Sequence, residues 1–127
     1  MRLLLSLFLL FSVSLQAAEI QKLTTVPLKA VRLTDGPFLH SEQTNQKYLL
    51  ALDADKLLAP LRREAGIKHQ AESYGNWENT GLDGHMLGHY LSALAFMASA
   101  TANEQIKARL DYLLTELETI QQAQQGY

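Results

Sequence analysis

The chain has 127 residues, a formal net charge of −2, 47% hydrophobic residues and no cysteine. That length allows one small domain. The missing cysteine excludes disulfide staples, thiolate metal sites and a cysteine nucleophile within these residues. No basic cluster extends beyond Arg62-Arg63, so a nucleic-acid partner is not expected.

The N-terminus reads MRLLLSLFLLFSVSLQAAE: Arg2 is a short positive region, and Leu3 to Leu15 is an apolar run broken only by serines. Small residues follow at Ala17 and Ala18. The run is shorter than the roughly 20 residues needed to cross a bilayer. It predicts a signal peptide over residues 1–18, cut near Ala17/Ala18, and a secreted or periplasmic product with no membrane span after cleavage. The folded part is then 19–127.

Val26, Leu28, Val31 and Leu33 alternate weakly around Pro27, which reads as a short edge β-strand or an extended arm. Asp35-Gly36-Pro37 turns the chain and opens a helix from about Pro37 to Leu52. DADKLLAPLRRE adds a short helical piece expected to end near Pro60. Glu64 to Glu78 lacks periodicity and reads as a loop. A nearly all-apolar helix is expected from Gly81 to Ala100. Asn103 is the plausible cap of a last, amphipathic helix. In that helix Ile106, Leu110, Leu113, Leu114, Leu117 and Ile120 form the apolar face, opposite Lys107, Arg109, Asp111, Glu116 and Glu118. An apolar helix paired with a one-faced helix is the unit of α/α barrels and solenoids, although no internal repeat is visible.

The chemistry-bearing residues gather at the start of the apolar helix. His85, His89, Ser92 and Phe96 fall on one helical stripe, and Gly81, Gly84 and Gly88 on another that would admit close approach. Trp77 and Glu78 sit just before, an indole face and a carboxylate suited to stacking on a sugar and accepting from its hydroxyls. Four readings compete. The His-x-x-x-His spacing suits a metal pair, but Met86 stands where zinc proteases need Glu. A His-His-carboxylate site could use Asp83 or Glu78. Glu78 and Asp83 could be the paired carboxylates of glycoside cleavage. The imidazoles could simply be bonded to neighbouring backbone in a helical core.

Several stretches together resemble the N-terminus of secreted beta-L-arabinofuranosidases of glycoside hydrolase families 127 and 146. They are VRLTDGPF, KYLLALDADKLLAPLRREAG, YGNWENTGLDGHMLGHYLSALAFMASAT and RLDYLLTEL. The run from Trp77 to Ala93 is the most specific. The resemblance implies an all-α fold here: the N-terminal portion of an (α/α)6 barrel, preceded by the strand or arm, with β-sandwich domains further on. It also implies retaining hydrolysis of arabinofuranosides in plant glycans, with a zinc-bound cysteine nucleophile and a glutamate acid/base. The family's cysteine motif is expected beyond Tyr127, so no catalytic residue, no metal ligand and no cofactor is expected of this chain itself. It is expected to hydrolyse nothing alone. Trp77, Glu78, Asp83, His85 and His89 become candidates for the wall of the sugar pocket. The alternative is a small secreted helical module that binds a glycan or a protein without chemistry.

Overall fold

The computed structural model describes residues 23–68 and 71–126; the signal peptide expected over 1–18 lies outside them. Four α-helices follow in order: α1 (Pro37–Ala51), α2 (Ala54–Glu64), α3 (His85–Thr101) and α4 (Glu104–Ala123). Short 3-10 turns occupy Leu28–Ala30 and Asn76–Asn79. No strand occurs among the described residues, so the fold is all-α. The alternating stretch around Pro27 therefore takes the arm form. It lies along the C-terminal half of α3, where Arg32 Nη1 donates to the Ala100 carbonyl at 2.9 Å.

Helix ends follow the caps. Asp53 Oδ1 accepts from Asp55 N at 3.0 Å and Lys56 N at 3.4 Å, opening α2. Asn103 Oδ1 does the same for α4 with Gln105 N and Ile106 N, at 2.9 and 3.1 Å. The helix α2 does not end near Pro60 as expected. Pro60 is buried inside it, and the helix runs on to Glu64. The stop is Gly66 instead, at φ +68°. Gly66 N donates to the Arg63 carbonyl and Ile67 N to the Arg62 carbonyl, the paired bonds of a Schellman end.

The apolar helix also starts four residues later than expected. Gly81 and Gly84 have φ of +97° and +88°, so they form the turn before α3 and only Gly88 lies within it. The three-glycine stripe is therefore not a helical surface, and a Cβ at Gly88 would meet only open space. What the sequence demands here is a left-handed turn at Gly84, where an L side chain costs roughly 1–2 kcal/mol.

The core is a seam between α3 and α4 closed by α1 and α2. Leu87, Tyr90, Leu94 and Met97 from α3 meet Ile106, Leu113 and Ile120 from α4, with Leu49, Leu57 and Leu58 beside them. Leu58, Leu94, Ile106 and Leu113 are fully buried. Two charged residues assigned to the wet face of α4 point inward instead. Arg109 reaches the carbonyls that α1 leaves open at its end: Leu52 at 2.6 Å and Leu50 at 3.4 Å. Glu116 Oε2 accepts from Arg62 Nη2 at 2.6 Å, and Arg62 Nη1 also donates to Asp55 Oδ1 at 2.8 Å. Leu114, assigned to the apolar face, is exposed.

Candidate functional site

The site is built by the turn that leads into α3. Its first N–H groups lack intrahelical partners, and Gly84 has no side chain to serve them. Glu78 reaches forward from the 3-10 turn to do so. One carboxylate oxygen accepts from Gly84 N at 3.0 Å and the other from Met86 N at 2.8 Å. Glu78 is 1% exposed, the only buried charged side chain among the described residues. Its negative charge faces the positive end of the α3 dipole. That double bond pulls the 3-10 turn against the helix and fixes the residue before it, Trp77, on the outside.

Trp77 is 57% exposed. Its ring meets His85 edge-on, with centroids 5.6 Å apart at 74°. His85 in turn meets His89 edge-on at 4.6 Å, and their Nε2 atoms lie 3.1 Å apart. Both imidazoles are exposed, as are Ser92 and Phe96 further along the same stripe. Of the five sequence candidates, Trp77, His85 and His89 are thus brought together in one surface row. Glu78 lies beneath it. Asp83 turns towards α2, where its Oδ2 is 3.7 Å from Arg63 Nη2 in an exposed pair. Among the described residues no group of three His, Asp or Glu side chains could hold a metal.

On the other side of Trp77 a cleft of about 560 Å³ opens between the end of α1 and the start of α3. Tyr48, Leu52, Leu57, Tyr74, Met86 and Tyr90 line it with Trp77 and Glu78. Tyr48 is one of the apolar marks of the first helix; Tyr74 and Tyr90 are the cleft residues that periodicity does not single out. Tyr90 Oη donates to the Leu49 carbonyl at 2.6 Å and accepts from Arg109 Nη1 at 3.0 Å. Burial pushes the Tyr90 phenol above its ordinary value, opposed by Arg109. Tyr74 Oη accepts from Asp53 N at 2.9 Å, and Lys56 lies over its ring at 5.5 Å. The signal available was position: Tyr48 and Tyr90 each precede leucines at helical spacing, and the Tyr90 phenol ends where α1 runs out of partners.

An aromatic-walled apolar cleft with a few fixed polar groups is the usual form of a small-ligand site. The family model described as Beta-L-arabinofuranosidase, GH127 catalytic domain, matches residues 30–127. The chain belongs to that family. No curated protein matches it. The match to the beta-L-arabinofuranosidase catalytic domain takes in all four helices, the cleft, Trp77 and the histidine pair. Among the described residues, no helix is long and apolar enough to cross a membrane.

Proposed function

We propose that these residues form part of the sugar-binding wall of a secreted or periplasmic glycoside hydrolase acting on arabinofuranosides of plant glycans. The observation that carries the reading is Trp77. Its exposed indole stands between the apolar cleft and the two imidazoles, as a stacking surface with polar groups on one flank. A furanose ring offers C–H faces to such an indole and hydroxyls to imidazole nitrogens, which both donate and accept. The edge of α3 keeps those nitrogens in register, while Glu78 holds the turn beneath them.

The chemistry of cleavage lies outside these residues in this reading. The zinc that the resemblance implies would need thiolates, and the chain has none. The residues present therefore do not fit that metal centre, and no catalytic step is assigned to them. Two measurements test the proposal. The purified chain is expected to release no arabinose from arabinofuranosides, with or without added zinc; release would overturn the view that the nucleophile is elsewhere. An arabinofuranoside is expected to shift the fluorescence of Trp77, the single tryptophan, and Trp77→Phe or His85→Ala to weaken binding by about tenfold, equal to 1.4 kcal/mol. Unchanged affinity in both variants would remove the cleft and its rim from substrate recognition.

A further inference from the structure

The histidine pair has a geometry that sugar recognition does not require. His85 and His89 stand one helical turn apart, and each presents its Nε2, not its Nδ1, to the other at 3.1 Å. Among the described residues, one mutual hydrogen bond is the polar contact of these two exposed imidazoles, and it gains little over bonding to water. A cation between them would gain more. With metal–nitrogen bonds of about 2.0–2.1 Å, nitrogens at this separation subtend an angle of about 100° at the ion. That lies between the square and tetrahedral angles, so neither ring need move far. We propose that His85 and His89 form a two-imidazole chelate for a late first-row divalent transition metal, distinct from any thiolate site and independent of whether the cleft takes a sugar.

The remaining chemistry is consistent with such an ion. In the neutral pair one Nε2 carries the shared proton, so metal entry needs only a tautomeric shift of that ring to Nδ1–H, with no net proton released. No third His, Asp or Glu among the described residues converges on the pair, which leaves the other coordination positions to water or to ligand oxygens. The Trp77 ring stands edge-on to His85, with centroids 5.6 Å apart. Two imidazoles plus water suit Cu²⁺ best by the general order of divalent affinities, with Ni²⁺ and Zn²⁺ weaker.

Trp77 is also the reporter, because paramagnetic Cu²⁺ a few ångströms away quenches indole emission. Aqueous Cu²⁺ is titrated into the 127-residue chain, and into His85→Gln, His89→Gln and His40→Gln variants. The expected result is saturable quenching with one ion per chain, weakened by about tenfold or more in either pair variant and unchanged in His40→Gln. Both pair positions are exposed, so their variants are expected to keep native helicity by circular dichroism. Zn²⁺, which does not quench, is expected to raise the melting temperature of the parent chain and not that of His89→Gln. Quenching that persists equally in both pair variants, or that falls equally in His40→Gln, overturns the site. So does a Zn²⁺ shift that survives His89→Gln. Loss of arabinofuranoside binding with metal binding intact would count against the sugar reading alone.

Discussion

Exchanging Glu78 for Gln keeps the side chain's size but removes its charge and turns one acceptor oxygen into a donor amide. In the folded chain both oxygens are in use, by Gly84 N at 3.0 Å and Met86 N at 2.8 Å, under almost complete burial. Hydrogen bonds to a charged group contribute roughly 1.5–3 kcal/mol each. A carboxylate at a helix N-terminus adds up to about 2 kcal/mol in partly buried settings. Gln can keep one bond, in weaker neutral form, while its amide nitrogen faces the other N–H. The expected loss is about 2–4 kcal/mol. At about 4–8 °C per kcal/mol for a domain of this size, the melting temperature falls on the order of 10–25 °C. Thermal melts by circular dichroism measure it, with Asp83→Asn as the control for an exposed pair contributing about 0–1 kcal/mol. Glu78→Ala is expected to be worse, since it leaves both N–H groups unpaired. A Glu78→Gln chain that melts within about 2 °C of the parent would refute the capping role. If such a chain also lost arabinofuranoside binding, the carboxylate would belong to the sugar.

Three further outcomes follow from the packing. Arg109→Met leaves the Leu50 and Leu52 carbonyls without their donor and is expected to cost about 2–4 kcal/mol in urea unfolding, with Arg109→Lys recovering only part because it lacks the fork. The bond from Tyr112, and then that from Arg62, holds the Asp55 carboxyl below its ordinary 3.8. A depressed folded value means that its contribution is complete above pH 3.8 and is lost as pH falls through the lower folded value. Asp55→Asn is therefore expected to flatten the stability curve in that acid window, read from urea melts at stepped pH. Ala102 closes α3 in the left-handed region at φ +53°. Ala102→Gly is expected to raise stability by about 1 kcal/mol, measured by the same melts.

What was legible in the sequence was whatever depends on neighbours within one turn. Asp53 and Asn103 act as caps through bonds two and three residues on, so their role is local and was readable. The apolar spacing of α4 placed Ile106, Leu113 and Ile120 in the core for the same reason. Pro60 misled because its missing N–H forfeits one bond, whereas burial and the Arg62 ion pairs hold the next turn together. Helical spacing puts the glycines at 81 and 84 on a helix surface, because composition cannot show a positive φ. Amphipathic spacing puts Arg109 and Glu116 in water, where a charge on such a helix usually lies. The Leu50 and Leu52 carbonyls that accept from Arg109, and the Arg62 guanidinium that meets Glu116, are more than fifty residues away in sequence, and nothing nearby announces them. Glu78 was the subtlest. A carboxylate beside a tryptophan looks the same whether it faces a ligand or the N-terminus of the following helix. The i, i+4 spacing puts His85 and His89 side by side, but their facing nitrogens are a matter of rotamer.

The link between α3 and α4 is only Ala102 and Asn103, and these two helices share the most extensive contact among the described elements. Closing so short a loop carries little entropic penalty, so this pair can zip up on a microsecond scale as soon as both segments exist. The arm, tied to Ala100, and α1, tied to Arg109, must find seats 68 and 57 residues further along the chain. The contacts of longest sequence separation thus belong to the half made first by the ribosome, and Tyr48 and Leu52 can close the cleft only against α3, which is made after them.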